Sequence, residues 1–376
     1  VKGDTSIALS FDEGAARQHP VAVVNGEAAL ELAVPGHRAW TPGAPHLHTL
    51  TAAFEGDRVT ERFGIRKVET RGREIFLNGE PVRLMGVNRH EAHPQFGPVQ
   101  SEALLVEDLE RARELGANFI RCVHYPQDQR FLELCDRMGF LVWEESLGWG
   151  NSAAECANPR FIGLQVEQTR AMVRNSINHP SVIFWAFLNE CASQAESSRP
   201  LYKALFDTVR AEDKTRLVTY ACDKNSYEPG DDLFLEYADV ATLNTYPGWI
   251  GELDWNAGAV TKIAPHLARK WDAYSKHPAL RGKPFLITEI GCGALYGSRS
   301  ASAEQWTEEF QAVYVAAACK AVLENPGMAG ITLWQYFDSR SYGPWGHVRS
   351  KPLGINLAGL LDRIRRPKLA FEAVKA

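Results

Sequence analysis

The stretch that decides the fold is SVIFWAFLNE at residues 181–190, an apolar run that stops on an amide and an acid. A second apolar run, PFLITE at residues 284–289, also stops on a glutamate. Uninterrupted apolar runs of this length are typical of strands buried on both faces of a parallel sheet. Because a buried carboxylate is costly unless it is paired or functional, Glu190 and Glu289 are predicted to meet where two parallel strands end.

From residue 82 onward, apolar strand-like runs alternate with amphipathic helical segments. Strand ends are predicted at residues 86–88, 119–121, 142–144, 189–190, 219–220, 243–244, 288–289 and 334–335, and helices over residues 104–115, 130–138, 161–177 and 305–323. This alternation matches an α/β fold of the (β/α)8 TIM barrel type, in which catalytic side chains lie at the carboxyl ends of strands. Glu190 ends the fourth predicted strand and Glu289 the seventh, so both acids fall where such a barrel carries its chemistry.

Residues 1–66 are predicted to form a small β-sandwich domain before the barrel. Short alternating runs at residues 6–9, 21–24, 29–34 and 48–54 are separated by glycine and proline turns. Asn78-Gly79 is a strong signal for a two-residue hairpin turn just before the first barrel strand.

The composition of the chain limits the classes of partner and the cellular compartment that can be expected. The chain has 376 residues, a net charge of −5 and no basic stripe, which argues against nucleic acid as a partner. No apolar run approaches the roughly 20 residues that span a bilayer, so no membrane partner is expected. Seven cysteines without close pairs indicate free thiols in a reducing compartment. The cytoplasm is favoured, and a secreted or periplasmic location stays open because the chain, beginning at Val1, looks trimmed from a longer parent.

Several ordered motifs resemble those of glycoside hydrolase family 2. NHPSV at residues 178–182, leading to NE at 189–190, resembles the family's acid/base motif, and TEIG at 288–291 resembles its nucleophile strand. GVNRHE at 86–91, RCVHYP at 121–126 and LCDRMG at 134–139 are similar to further family motifs. PHLHTL at 45–50 with RFGIR at 62–66 resembles the end of the immunoglobulin-like domain that precedes the family's barrel.

The resemblance implies a retaining exo-β-glycosidase of the β-galactosidase or β-glucuronidase type, which acts on a carbohydrate without a cofactor. It implies that Glu190 is the general acid/base and Glu289 the nucleophile, and that Tyr246 contacts the nucleophile. The implied sugar-binding residues are Asn189 at the 2-hydroxyl, Trp334 as the platform, His90 and His124 on the pocket floor, and Arg121, Asn244 and Asn356.

The resemblance also implies a division into an immunoglobulin-like sandwich at 1–66, complete or incomplete, and a catalytic barrel at 67–376. The jelly-roll domain that the family carries at its N-terminus has no counterpart in the sequence, so the pocket is expected to be open or weakened. The glucuronidase motif Asn-x-Lys corresponds to Asn356 and Ala358, with Arg349 or Lys351 as a substitute cation. Family members often form oligomers, which leaves a homo-oligomer open.

The chemistry expected of the two acids follows from their proximity. In a retaining mechanism the carboxyl groups lie roughly 5–5.5 Å apart, so one ionises easily and the other keeps its proton. Glu289 is expected to be the ionised partner, supported by Arg121 through charge and by Tyr246 through a hydrogen bond. Glu190 is expected to hold the proton.

Four other hypotheses remain. Glu144 and Glu145 also end a predicted strand and are the main rivals for the catalytic roles. His90 and His93 could bind a metal, although their spacing differs from that of helical zinc sites, so no metal is predicted. The acids could form only structural ion pairs, or the chain could be an inactive sugar-binding remnant.

Overall fold

The computed structural model describes residues 3–222, 228–249, 257–341 and 351–375. Its centre is a parallel sheet whose eight strands are β8 (Leu84–Arg89), β9 (Phe119–Cys122), β10 (Leu141–Glu145), β11 (Val182–Ala186), β12 (Leu217–Thr219), β13 (Ala241–Asn244), β14 (Phe285–Ile290) and β15 (Met328–Leu333). The last of these, β15, pairs with β8, so the sheet curls into a barrel. The seam between β12 and β13 is bridged by bonds such as Asp239 N to Val218 O at 2.9 Å. The predicted TIM barrel is confirmed.

Helices cover the outside of this barrel. They are α1 (Glu102–Glu114), α2 (Gln129–Met138), α3 (Ala153–Cys156), α4 (Pro159–Ser176), α5 (Arg199–Glu212), α6 (Ile263–Lys276), α7 (Glu308–Leu323) and α8 (Leu369–Val374). All four predicted helices are present. In the described part of the β12–β13 connection, a short 3-10 turn at Leu235–Tyr237 takes the place of a helix. None of the described helices combines the length and apolar character that crossing a bilayer requires.

The N-terminal region is one antiparallel sheet of four strands in the order β2-β1-β3-β4. Its strands are β1 (Gly3–Phe11), β2 (Arg17–Val23), β3 (His48–Phe54) and β4 (Asp57–Phe63). The predicted strand at residues 29–34 is wrong, because that mostly exposed segment has no neighbouring strand to pair with. A sandwich needs two facing sheets, and residues 3–63 supply a single one, so the predicted sandwich is supported only in part.

A small antiparallel sheet connects the two regions. It consists of β5 (Val68–Arg71), β6 (Glu74–Leu77) and β7 (Glu80–Val82), and its second turn is Asn78-Gly79. Both turn residues have positive φ, 53° and 87°, which confirms the predicted hairpin. Ile75 and Leu77 pack with Leu84 and Phe119 at the amino ends of the barrel strands. This end is therefore filled with apolar side chains, and the opposite, carboxyl end is left for polar groups.

Candidate active site

Glu289 lies within β14, one residue before the strand ends, and its side chain is almost completely buried. Arg121, from β9, donates through Nη1 to Glu289 Oε1 at 2.7 Å. Tyr246 OH donates to the other carboxylate oxygen, Oε2, at 2.5 Å. Both oxygens of Glu289 therefore have a donor, and one donor carries a full positive charge.

Glu190 reaches the same end of the barrel by a different route. The prediction that it ends a strand is wrong, because β11 stops at Ala186. Leu188 and Glu190 both adopt positive φ, 56° and 51°, so the chain turns sharply after the strand. Backbone bonds hold this turn: Asn189 N donates to Gly148 O at 2.7 Å, and Glu190 N donates to Ala221 O at 3.0 Å.

Two asparagines connect the acids. Asn244 Nδ2 donates to Glu190 Oε1 at 2.9 Å and to Asn189 Oδ1 at 3.1 Å. The same Asn189 oxygen accepts from Arg121 Nη2 at 2.8 Å. Asn189 Nδ2, in contrast, is buried and has no hydrogen-bond partner among the described residues. A buried amide N–H without a partner is rare and costly, so it is available to a ligand hydroxyl.

Arg121 is the centre of the charge network beneath the acids. Besides Glu289 and Asn189, it donates to Glu145 Oε2 at 2.9 Å and to Asn88 Oδ1 at 3.0 Å. Burial acts to lower the pKa of Arg121, but the charges of Glu145 and Glu289 outweigh it and raise the pKa. The guanidinium therefore stays charged and supports Glu289 from below, without itself lining a cavity.

The two rival glutamates, adjacent on β10, have opposite surroundings. Glu145 faces inward, accepting from Arg121 and from His124 Nδ1 at 2.9 Å. Burial acts to raise its pKa, yet Arg121 and His124 together lower it. Glu144 faces the helices and accepts, among the described residues, only from Ser176 Oγ at 3.1 Å, and burial raises its pKa to about 8. Glu145 thus belongs to the supporting network, and Glu144 is remote from the cavities.

The pKa of Tyr246 depends on its burial and on the negative charge around it. Burial, followed by the charges of Glu289 and Glu190, raises the pKa of Tyr246 well above its usual value. The phenol therefore stays protonated and remains a hydrogen-bond donor to Glu289.

Glu190 and Glu289 both line one cavity of about 340 Å³, which we call the glutamate cavity. Trp334, directly after β15, forms part of its wall and stacks on His124 with ring centroids 5.6 Å apart. Three further tryptophans contribute to the lining: Trp149, Trp249 and Trp306. Aromatic faces combined with a few convergent polar groups are typical of ligand sites.

A second cavity of about 280 Å³, the side cavity, shares His124, Trp149 and Trp334 with the first. His90 lines only the side cavity. Burial, with a further contribution from the neighbouring His124 and Arg121, lowers the pKa of His90 to about 3, so the His90 imidazole is neutral near neutral pH. Asn356 and Lys351 line both cavities, whereas Arg349, the other candidate cation, lies outside the described residues.

Sequence reasoning missed several residues of the site. Asn88 could have been found, since it lies near a strand's carboxyl end, whereas Glu145 was predicted as a rival acid but not as a partner of Arg121. Trp149 and Trp306 lie in loops, and no pattern in the sequence indicated that they would line a cavity. The place of Trp306 in the cavity wall depends on close packing, since a Cβ at Gly293 would lie 2.6 Å from the Trp306 ring.

The metal hypothesis from the sequence and the state of the cysteines can be compared with the structure. No group of three or more His, Cys, Asp or Glu side chains that could hold a metal occurs among the described residues. None of the seven cysteines forms a disulfide in the described part of the chain, and Cys191 and Cys292, which follow the two glutamates in sequence, are buried. Burial raises the pKa of both thiols, so they are poor nucleophiles.

Comparison with known proteins identifies relatives of this arrangement. The family model for glycosyl hydrolases family 2, TIM barrel domain, matches residues 68–376. The β-glucuronidases of Mus musculus and Felis catus are 29% and 31% identical, over 90% of this chain and 52% of theirs. The chain therefore spans about half the length of these curated relatives.

Solved structures give a similar result. A β-galacturonidase from Eisenbergiella tayi bound to galacturonate superposes with a TM-score of 0.90 at 35% identity, covering 100% of this chain and 66% of that one. A β-glucuronidase from Bifidobacterium dentium complexed with coumarin-3-O-glucuronide has a TM-score of 0.86 at 28% identity, covering 98% of this chain and 60% of that one.

Proposed function

The chain belongs to glycosyl hydrolase family 2, and on that premise we propose that it is a retaining exo-β-glycosidase that removes terminal β-linked sugars. The observation that carries the proposal is that Glu190 and Glu289 both line the glutamate cavity. Paired carboxyl groups at one cavity are what a double displacement requires. Because known relatives act on glucuronides and galacturonides, a uronic acid is a better candidate for the sugar than neutral galactose.

In the first step, a carboxylate oxygen of Glu289 attacks the anomeric carbon. The bond from that carbon to the leaving oxygen breaks, and Glu190 gives its proton to the leaving oxygen. Arg121 and Tyr246 each donate a hydrogen bond to the Glu289 carboxylate and hold it in place before attack. The result is a glycosyl ester on Glu289 and a free aglycone.

In the second step, a water molecule attacks the same carbon. Glu190, now ionised, takes a proton from the water, and the ester bond to Glu289 breaks. The sugar leaves with its original β configuration because two inversions have occurred.

Neighbouring groups would bind and orient the sugar. Asn189 Nδ2, buried without a protein partner among the described residues, would donate to the 2-hydroxyl, a bond that can strengthen in the transition state. Trp334 would provide the face on which the ring lies, with His124 stacked behind it. Asn244 would act by positioning Glu190, and Arg121 by positioning Glu289.

We also propose residues 1–66 as an immunoglobulin-like domain and residues 67–376 as the catalytic domain. The antiparallel sheet of β1–β4 is compatible with one layer of such a sandwich.

The test is a panel of nitrophenyl β-glycosides that includes β-glucuronide, β-galacturonide, β-galactoside, β-mannoside and β-glucoside. Glu289→Gln and Glu190→Gln should each lower turnover of the best substrate by at least about 10³-fold, because each removes a reacting group. Proton NMR of the first turnovers should show the β anomer as the initial product. Glu144→Gln is the matched control and should retain activity, since Glu144 faces the helices.

Release of the α anomer first, or a Glu289→Gln variant with more than a few per cent of wild-type turnover, would contradict the mechanism. No release from any glycoside, together with measurable sugar binding, would favour the binding-remnant hypothesis instead.

A further inference from the structure

The ammonium group of Lys368 lies behind residues that line the glutamate cavity. Lys368 immediately precedes α8, and its side chain is completely buried. Its Nζ donates to Asp338 Oδ1 at 2.7 Å, to Ala294 O at 2.8 Å and to Leu357 O at 2.9 Å. An ammonium group has three N–H donors, so each of them has an acceptor. Lys368 itself is not among the residues that line either cavity.

The three acceptors of Lys368 belong to three different segments at the carboxyl end of the barrel. Ala294 lies in the loop after β14, Asp338 in the loop after β15, and Leu357 in the segment 355–359. Each of these segments also lines the glutamate cavity, and the lining residues are Gly291 and Gly293, then Trp334, then Asn356, Leu357 and Ala358. One buried cation therefore joins three parts of a single cavity wall.

Trp334 is connected to this wall through the backbone. Gln335, the residue after Trp334, donates through its backbone N–H to Ala358 O at 2.8 Å and accepts from Leu360 N at 3.0 Å. The backbone N–H of Lys368 in turn donates to Leu360 O at 2.9 Å. A displacement of the segment that Lys368 holds would therefore be passed on to Trp334 by direct hydrogen bonds.

The ion pair between Lys368 and Asp338 is a poor source of net stability. Burial lowers the pKa of Lys368 and raises that of Asp338 to about 7, while the opposite charge of each partner counteracts the change. The carboxyl groups of Glu308 and Asp362 also act on this pair. The cost of removing two charges from water offsets much of their attraction. A pair that is kept under these conditions points to a need for fixed geometry.

The two glutamates themselves are held by other groups. Their hydrogen-bond donors are Arg121, Tyr246 and Asn244. Because all three N–H groups of Lys368 are used elsewhere, Lys368 supports the wall of the cavity and not the reacting carboxyl groups. Loss of its ammonium should therefore change how a sugar is held more than how the glutamates react.

We infer that Lys368 is a positioning residue that holds together the part of the glutamate-cavity wall formed by Trp334, Leu357 and Ala358, against which the sugar binds. It acts through these residues and does not contact the sugar. The link to catalysis rests on the proposed function, whereas the effect on sugar binding can be measured without turnover.

The main test is Lys368→Met, which keeps an unbranched apolar side chain and removes the ammonium. With the best glycoside of the panel, KM should rise by on the order of 10-fold, while kcat per mole of protein should stay within about threefold. A variant that is merely less folded would show the opposite pattern. Its apparent kcat would fall and its KM would not change, because the molecules that remain folded have a normal cavity.

Arg216→Met is the matched control, because Arg216 is a buried cation at the opposite, amino end of the barrel, directly before β12. It donates to Asp213 Oδ2 at 2.8 Å and to three backbone carbonyls at 2.7–2.9 Å. Arg216→Met should lower the midpoint of urea unfolding and leave KM within about twofold of the wild-type value.

A double variant, Lys368→Met with Asp338→Asn, keeps the test valid if Lys368→Met does not fold. The asparagine can still accept from Gly359 N, and no buried carboxylate is left without a cation. Its KM should also be raised, because Ala294 O and Leu357 O have lost the donor that they shared.

Tryptophan fluorescence measures binding without turnover, with D-galacturonate, D-glucuronate, D-galactose and D-glucose as the probes. The sugar that wild-type protein binds best should lose about 10-fold in affinity in Lys368→Met and less than about twofold in Arg216→Met. This result, together with the KM pattern, would support the inference.

Unchanged KM and sugar affinity in folded Lys368→Met, or equal losses in Lys368→Met and Arg216→Met, would overturn the inference, and glycoside turnover by the same proteins would keep the proposed function. Sugar binding that depends on Lys368, without hydrolysis of any glycoside by wild-type protein, would keep the inference and reject the proposed function. Wild-type protein that neither binds nor hydrolyses any of the sugars would overturn both.

Discussion

At the scale of single residues, neighbouring side chains with the same chemistry have opposite roles. Glu144 and Glu145 are consecutive, so their side chains leave β10 on opposite faces. Glu145 faces the barrel interior, where Arg121 lowers its pKa, and Glu144 faces the helix layer, where burial raises its pKa to about 8. The direction of a side chain, and not its type, decides whether it supports the site.

Glu144 leads to a prediction about stability and pH. An unfolded glutamate ionises near its ordinary pKa of 4.5, while Glu144 in the fold ionises near 8. Between these values the folded state binds more protons than the unfolded state, so the free energy of unfolding contributed by this group falls as pH rises. Glutamine does not titrate, so Glu144→Gln lacks this decrease in the free energy of unfolding. The variant should be more stable than wild type at pH 8, by on the order of 3 kcal/mol.

Urea unfolding of both proteins at pH 5 and pH 8 measures this difference. At pH 5 the two should agree within about 1 kcal/mol, because glutamine resembles the protonated acid. Glu110→Gln is the control, since Glu110 is exposed on α1, and its effect should not change between the two pH values. An equal effect of Glu144→Gln at both pH values would contradict the buried, protonated state.

At the scale of elements, the barrel strands supply Glu289 and Arg121, while the loops after the strands supply Glu190, Tyr246 and Trp334. A loop can hold a functional side chain in a fixed position only where close packing fixes the backbone of the loop. Gly291 is such a point: a Cβ at this position would lie 1.8 Å from the carbonyl oxygen of Trp334. Trp334 and Gly291, the residue that follows β14, are therefore packed backbone to backbone.

Gly291→Ala should displace Trp334 and disturb the ends of β14 and β15 together. Relieving the contact requires the backbone at Trp334 to move, which should cost about 1–3 kcal/mol of stability and lower turnover of the best glycoside. Chemical denaturation and steady-state kinetics measure the two effects.

Gly163→Ala provides the comparison, because Gly163 lies in α4 and a Cβ added there would have no neighbouring atom within 4 Å. Alanine there should stabilise the helix by up to about 1 kcal/mol and leave activity unchanged. Full activity in Gly291→Ala would mean that the loop after β15 does not depend on this contact.

At the scale of the whole molecule, the N-terminal region is attached to the barrel end opposite the site. Trp40 is fully buried in the cluster that fills this end, and its Nε1 donates to Asp136 O at 2.8 Å. Arg66 donates to Pro180 O at 3.1 Å and to Val182 O at 2.8 Å, just before and at the start of β11. Stability of the barrel should therefore depend on residues outside it in sequence.

Trp40→Ala should destabilise the chain by about 3–5 kcal/mol, the usual cost of removing a buried aromatic side chain. Guanidinium unfolding followed by circular dichroism would show this as a lower midpoint. Trp149→Ala is the matched control: Trp149 is 44% exposed at the cavity mouth, so its loss should affect stability much less. An unchanged midpoint in Trp40→Ala would show that the N-terminal region contributes nothing to the barrel.

The sequence by itself determined the barrel fold and the location of Glu190 and Glu289 at the carboxyl end of the barrel. Fully apolar runs such as those that end on Glu190 and Glu289 indicate a parallel sheet that is buried on both faces. The alternation with helices follows from the same burial, because the helices cover the sheet. It predicted most strands, all four proposed helices and the Asn78-Gly79 turn. It failed at residues 29–34 and at the end of β11, where pairing with a neighbour, and not local pattern, decides where a strand begins and ends.

Only the tertiary structure decided which groups surround the acids. Arg121 contacts Glu145, Glu289 and Asn189 because three strands and a loop converge at one end of the barrel, and no local spacing encodes that convergence. The same holds for Asn244, whose amide reaches Glu190 and Asn189 only after the chain has folded. The apolar pattern that predicts burial can be seen in a short stretch of sequence. The electrostatic environment of a side chain, in contrast, adds up contributions from residues that are far apart in the sequence.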